Sequence, residues 1–181
     1  MNLIILGAGG FGQTIADVSG QSGEYEKIHF LDDNSTAKNV IGKCSDYLKY
    51  KDCLIYPAFG NNSLRIEWIE KLLAEGFSLP TIIHRTAYIS PKATIGCGTV
   101  VLPQSVINTN CQIGKGCIIN CNSTVDHGCI IEDGVHICLG AIVKAENRII
   151  KYTKIEAGEV VQARTFPVQE IILCYCKVSA K

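Results

Sequence analysis

The sequence predicts a chain in two parts: an α/β half-Rossmann module over residues 1–80, then a parallel β-helix over residues 81–165. Three observations carry this expectation. Fourteen aliphatic residues stand six apart without a miss: Ile83, Ile89, Ile95, Val101, Ile107, Ile113, Ile119, Val125, Ile131, Ile137, Val143, Ile149, Ile155 and Val161. Most have a small residue two positions earlier, among them Thr81, Thr99, Ser105, Cys111, Cys117, Ser123, Cys129 and Ala141. The segment before them, 1–80, lacks this rhythm and opens on a short apolar run, a glycine-rich turn and a helix-like stretch.

In chain order, Leu3 to Leu6 read as a strand, followed by Gly7-Ala8-Gly9-Gly10-Phe11-Gly12. A helix is expected over residues 11–21 and a second strand over 28–31, ending in Asp32-Asp33. A third strand over about 54–59 ends in Gly60-Asn61-Asn62. A helix over 63–75 follows, with Leu64, Trp68, Leu72 and Leu73 expected on its apolar face. Alternating strands and helices argue a parallel sheet. The glycines match G-x-G-x-x-G, with an acid pair about 20 residues on, a spacing that suits phosphate and ribose recognition. Such a turn presents backbone N–H groups at a helix N-terminus to phosphate oxygens. About 80 residues suffice for one mononucleotide half, so a nucleoside diphosphate is expected here and NAD is not.

The six-residue period fits no α-helix, whose apolar stripe recurs at three and four. Residues i−2 and i share a strand face, and an even period keeps that phase from unit to unit. Each large aliphatic therefore fills an interior beside its small partner. Gly98, Gly116, Gly128, Gly134, Gly140 and Gly158 recur at one offset, suiting corners that need permissive dihedrals. Three such units, one strand each, make a coil, and each coil buries its apolar face only against its neighbours. Asn147 and Glu159 break the small-residue rule, so the last coils are expected to be less regular. Ile171, Ile172, Leu173 and Tyr175, in a tail over 166–181, are candidates to cap the open coil edge.

Lys+Arg and Asp+Glu both number 17, so no basic surplus points to nucleic acid or an anionic membrane. The N-terminal apolar run is too short for a signal peptide, no stretch is long enough to span a bilayer, and a cytoplasmic protein is expected. Ten cysteines invite a disulfide or metal reading. However, Cys111, Cys117 and Cys129 fall on interior positions, where a thiol acts as a small hydrophobe. Cys174 and Cys176 form a lone CxC without a second pair, so reduced thiols and no metal are expected. His29 and His84 are expected to be structural.

The segments LGAGGFG, HFLDDN, FGNN, IIHRTAYISPKATIG and NSTVDHGCIIEDGVHICLGA together resemble bacterial sugar acetyltransferases of the PglD/NeuD type. The resemblance implies a left-handed β-helix, although the usual crossover rule would predict the opposite hand. It further implies a homotrimer with acetyl-CoA in clefts between coils and active sites between subunits. The acceptor would be a nucleotide-linked amino sugar acylated on nitrogen, or a sugar such as sialic acid acylated on oxygen. A β-helical nucleotide-binding or assembly protein without catalysis is the non-enzyme alternative.

By the same resemblance His127 is the catalytic base, and His136, Gly140, Ala141 and Ala157 lie along the cofactor. Gly9, Gly10, Phe11, Asp32, Asp33 and Gly60 would meet the sugar nucleotide, with Asn61 and Asn62 beside them. An imidazole, with an ordinary pKa of about 6.5, can take the proton a nucleophilic amine or hydroxyl sheds. His136, nine positions on, is half a coil away and should face another side of the prism. Three departures stand out. Gly128 replaces the acid that follows the histidine in many relatives, and Glu146, one coil on, or the adjoining Asp126 is the candidate replacement. Phe11 replaces a histidine of the glycine loop. The closing Gly-x-Pro-Ala segment is missing.

Overall fold

The computed structural model describes residues 1–34, 37 and 39–166. It shows an α/β module packed on one side of a left-handed parallel β-helix. The module comprises β1 (Leu3–Leu6), α1 (Gly10–Ser22), β2 (Ile28–Leu31), β3 (Val40–Gly42), a 3-10 segment (Cys44–Tyr50), β4 (Leu54–Pro57) and α2 (Asn62–Ala74). Its sheet is wholly parallel in the order β3-β2-β1-β4, with Leu3 paired to both Ile28 and Leu54. The strand β3 and the 3-10 segment carry no period that the sequence would betray.

Each glycine of the fingerprint has a distinct reason. Gly7 has φ +98°, a conformation that side chains resist. Gly9 caps α1 with nothing within 4 Å of where a Cβ would sit. At Gly12 an added Cβ would lie 2.0 Å from the Gly7 carbonyl oxygen. A Gly12→Ala variant is therefore expected to lose about 1–3 kcal/mol through overpacking. An unchanged denaturation midpoint would contradict the contact.

The β-helix follows with fourteen two-residue strands, from Ile82–Ile83 to Val160–Val161. Each strand pairs with the one three strands later, as in Ile118 with His136 and Thr124 with Ile142, which gives three faces per coil. The aliphatic positions point inward, and Val101 through Val161 are buried in one continuous core. Ile83, in the first coil, remains 43% exposed because no coil lies beneath it. Ser105, Cys111, Cys117, Ser123, Cys129 and Ala141 are fully buried, as the small-partner rule requires. The eight described cysteines are free thiols. Burial pushes Cys117 up to about 12, so this thiol is inert.

The last coils are more regular than the sequence suggests. Asn147 is fully buried at a small-residue position, yet its amide donates to the Lys144 and Gln162 carbonyls. Its Oδ1 accepts from the Phe166 N–H, so no polar atom of the side chain is stranded. The strand ladder consequently continues to Val161. The capping expected of Ile171, Ile172, Leu173 and Tyr175, and the pair Cys174 and Cys176, lie outside the described residues.

The corners sharpen the glycine argument. Positive φ recurs at every sixth position from Gly98 to Arg164, but Gln104, Asn110, Asn122, Glu146, Tyr152 and Arg164 adopt it too. Dihedral freedom alone therefore does not demand glycine. At Gly98, Gly116 and Gly134, stacked on one edge, an added Cβ would lie 2.5–2.9 Å from Ile66 or Ile69 of α2. Glycine at that edge lets the helix dock.

Docking also corrects the expected face of α2. Leu64 and Leu73 are 39% and 40% exposed, while Arg65, Ile66, Ile69 and Leu72 are buried. A pattern of apolar positions passes over Arg65 because it is charged, yet it is the fully buried tie between the two parts. Its Nε donates to the Gly116 carbonyl at 2.7 Å and its Nη2 to the Gly134 carbonyl at 3.0 Å. Its Nη1 reaches the Phe59 carbonyl at 2.8 Å. On the adjacent face, Ile82, Val100 and Ile118 pack against Leu3, Ile5, Ile15 and Val18. Each such side chain contributes about 1.5–3 kcal/mol by burial.

Candidate active site

His127 occupies the corner between the second face (Tyr88, Val106, Thr124, Ile142, Val160) and the third (Thr94, Gln112, Ile130, Arg148). The α/β module covers the first face, so this corner is the one directed away from it. His127 is exposed, and its ring makes no hydrogen bond among the described residues. The fixed backbone beneath sets its position. The His127 N–H donates to Asp126 Oδ1 at 2.7 Å and its carbonyl accepts from the Glu146 N–H at 3.0 Å. Asp126 Oδ1 also accepts from Asn108 Nδ2 at 3.1 Å. The carboxylate of Asp126 thus turns back on its own backbone.

Glu146 stands directly above Gly128. An added Cβ on Gly128 would lie 3.3 Å from Glu146 Cγ, and the carboxylate is paired to Arg164 Nε at 2.7 Å. Stacking by one coil therefore sets a carboxylate over the glycine that follows the histidine. Lys144 Nζ reaches along the ladder to Gln162 Oε1 at 2.6 Å.

His136 lies on the first face, half a coil away as its spacing requires, next in the row after Ile82, Val100 and Ile118. Burial, then the charges of Arg65 and Lys154, pull its pKa down to about 4, so it is neutral throughout the physiological range. Its tautomer follows from its neighbour. Asn120 Oδ1 accepts from the Cys121 N–H at 2.8 Å, which turns Asn120 Nδ2 toward His136 Nε2 at 3.2 Å. Nε2 is then the acceptor and Nδ1 carries the proton.

The predicted nucleotide residues gather at the carboxyl end of the sheet. Gly9 has no side-chain cap, so the first N–H groups of α1 have no partner within the helix. Asp32 Oδ2 accepts from the Ala8 N–H at 2.7 Å and Oδ1 from the Asn34 N–H at 2.8 Å, bracing the glycine loop. Asp33 turns elsewhere, accepting from the Cys44 N–H at 3.0 Å. Gly10 and Gly60 border open space, and Phe11 packs partly against the module core. Asn61 caps α2 through the Leu64 N–H, and Asn62 bonds the Tyr152 carbonyl and Arg65. Both asparagines are thereby committed to the fold.

Gly140, among the cofactor positions, stacks with Gly158 on one edge, with nothing within 4 Å of either Cβ position. Leu139 beside them is 55% exposed, and Ala157 is exposed. Ala141, also among those positions, turns its side chain inward. Its methyl is buried in the prism, its N–H bonds the Cys138 carbonyl and its carbonyl accepts from Thr124. The inward phase of the repeat, which places the small residues in the core, decides this.

Within the chain the two halves of the predicted site lie apart, with the glycine loop by the first face and His127 on the opposite edge. A cleft of about 520 Å³ opens on the third face, lined by Thr94, Gln112, Glu132, Asp133, Arg148 and Lys151, none of them a predicted site residue. The Glu132–Arg148 ion pair of 2.6 Å spans it, so its strongest polar groups already have partners. No described group of His, Cys, Asp and Glu is placed to hold a metal. No described helix is long and apolar enough to cross a membrane.

Comparison with known proteins adds the decisive observation. Residues 2–72 match the PglD N-terminal domain family and residues 87–127 the bacterial transferase hexapeptide family. The acetyltransferase domain of PglB from Neisseria gonorrhoeae is 34% identical, with 90% of this chain and 83% of that one covered and a TM-score of 0.87. The chain belongs to the PglD/NeuD-type sugar acetyltransferases.

The same Neisseria domain has a structure in complex with acetyl coenzyme A, with 90% and 82% coverage and the same TM-score and identity. A histidine-to-asparagine variant of perosamine N-acetyltransferase from Caulobacter crescentus, in complex with CoA and GDP-perosamine, is 26% identical. It aligns over 92% of this chain and 90% of that one, with a TM-score of 0.80. This chain is accordingly an acetyltransferase of the hexapeptide class. What sequence reasoning misses is Arg65, masked by its charge, and the Glu146–Arg164 pair, of which only the spacing of one coil gives a sign.

Proposed function

We propose that the enzyme transfers acetyl from acetyl-CoA to the amine of a nucleotide-linked amino sugar, with His127 as general base. The observation that carries this is the position of His127, exposed on a rigid corner with an uncommitted ring and a carboxylate in the next coil. The neighbours bound to acetyl-CoA, or to CoA with GDP-perosamine, support both substrates. When bound, acetyl-CoA supplies an activated acyl carbon. As the amine attacks it, the C–N bond forms and the C–S bond breaks. His127 accepts the proton the amine loses and passes it to the departing sulfur, so that CoA leaves as the thiol and the imidazole is restored.

The residues divide into two sets. Gly9, Gly10, Phe11 and Gly60 border the nucleotide, with the first-turn N–H groups of α1 facing the phosphates. Asp32 acts by holding the loop in shape, whereas Asp33, Asn61 and Asn62 are spoken for within the fold. The open track of Gly140 and Gly158, beside Leu139 and Ala157, suits a slender pantetheine arm. His136, neutral with its proton on Nδ1, can donate a hydrogen bond but does not serve as an acid. Because the nucleotide module and His127 lie on opposite sides of one protomer, a neighbouring copy must complete each site, and we assign a homotrimer. Residues 1–80, 81–165 and 166–181 then act as nucleotide module, acyltransferase domain and tail.

CoA thiol release, measured with a panel of amino-sugar nucleotides and with sialic acid, tests the reading. Turnover is expected with an amine acceptor and not with the hydroxyl acceptor; the reverse would establish O-acetylation. An Asp32→Asn variant is expected to raise the acceptor KM about tenfold with little change in kcat, because it loosens a binding loop and not the chemistry. An unchanged KM would remove Asp32 from that role.

A further inference from the structure

The three faces of the prism are clothed differently. On the first, the outward side chains of Ile82, Val100 and Ile118 are buried beneath the α/β module. On the third, Thr94, Gln112 and Arg148 point outward with a half-buried Ile130, a row that water can cover. The outward row of the second is Tyr88, Val106, Thr124, Ile142 and Val160, apolar at all positions but one. Tyr88, Ile142 and Val160 are 56%, 36% and 41% exposed, although parallel sheets are ordinarily covered on both sides. An uncovered apolar sheet face marks a contact surface.

We propose that this face is where three copies of the chain meet, and that the meeting sets the His127 edge of one protomer against the Gly140 edge of the next. It rests on the reading that a neighbouring copy completes each site. Two observations choose a second copy as the occupant. The row holds no charged side chain and the chain carries acids and bases in equal number, so copies can meet without opposing like charges. Interface centres are depleted in charge in the same way. The other observation is what borders the face. The corner that follows it carries His127, and the corner that precedes it carries Leu139 and Gly140, with Ala157 and Gly158 one coil above. A partner of another kind would cover the row but leave the two edges of each chain apart. Closed cyclic packing does not, because three prisms that turn one face to a threefold axis bring the trailing edge of each to the leading edge of its neighbour. The base of one copy then faces the open glycine track of another.

The row can be altered without touching the core, since the inward Ile107, Val125 and Val143 fill the prism and the outward side chains do not. Light scattering should give the wild type the mass of three chains. Thr124→Arg and Ile142→Arg should raise the concentration of half-dissociation about tenfold or more, with an unchanged far-UV circular dichroism spectrum. Gln112→Arg, exposed on the third face, should leave the mass as it is. In the wild type, nitration should spare Tyr88 yet reach Tyr152, although Tyr152 is the less exposed in a single chain, at 39%. Should an arginine variant fail to fold, this labelling decides.

Shared sites carry a further expectation. His127→Ala and Ala157→Trp damage opposite edges and should each be inactive alone. Co-expressed in equal amounts, they should regain up to about a quarter of wild-type CoA release, the fraction of neighbouring pairs with both edges intact. A wild-type mass other than that of three chains, second-face variants that assemble as the wild type does, or ready nitration of Tyr88 overturns the interface. No recovery from two inactive parents overturns the pairing of edges. The mass and labelling arms need no substrate, so they decide the interface even if the chain transfers no acetyl group. A trimer that releases no CoA thiol with any acceptor, or an active His127→Ala parent, sinks the proposed reaction or its base and leaves the interface standing.

Discussion

Replacing His127 with alanine is expected to lower kcat about 10²–10⁴-fold, the usual contribution of a positioned general base. Nothing in the fold should change, because the His127 side chain is exposed and the corner is held by backbone bonds to Asp126 and Glu146. The loss should fall on kcat, with the KM for the sugar nucleotide little altered, since the N-terminal module packs on the first face of the β-helix, away from His127. A His127→Asn variant should behave alike, as an amide retains polarity but takes no proton at neutral pH. The measurement is steady-state CoA release with an unchanged melting curve as control. A variant within threefold of the wild-type kcat would place the base elsewhere.

The second large effect concerns stability. Arg65→Met is expected to cost about 3–5 kcal/mol, because several acceptors lose a charge-assisted donor at once. Its acceptors are the carbonyls of Phe59, Gly116 and Gly134, which no side-chain change can delete. Methionine fills much of the same volume but leaves those buried carbonyls without donors, each loss being worth about 1–3 kcal/mol. Burial pulls the Arg65 pKa down, yet a guanidinium stays charged at any working pH, so the tie does not loosen near neutrality. Urea denaturation should show a lower midpoint, and any uncoupling of module from β-helix would be visible as two transitions. A change below about 1 kcal/mol would show that Ile66 and Ile69 dock α2 unaided.

These two residues differ in how well a one-dimensional reading can see them. His127 is accessible because its neighbours Val125-Asp126 and Gly128 form a local pattern, and the six-residue phase puts it just outside a strand. Arg65 is not accessible: a helix-period argument sorts charged residues to the solvent side, and nothing near it names its acceptors, Gly116 and Gly134, far along the chain. Ala141 shows the same division in reverse. The family pattern places it at the cofactor, whereas its own phase in the repeat already puts its methyl in the core.

Short-range periodicity determined by itself where the β-helix runs, which residues fill it and how many make a coil, because each coil contacts only its neighbours. The glycine fingerprint likewise determined the first turn of the nucleotide module, since Gly12 answers to the nearby Gly7 carbonyl while Gly9 and Gly10 face open space. Only the tertiary structure decided which edge α2 occupies, why Gly98, Gly116 and Gly134 must lack a Cβ, and that Glu146 pairs with Arg164 above Gly128. Those depend on contacts between elements far apart in the chain, whose distances no local pattern records.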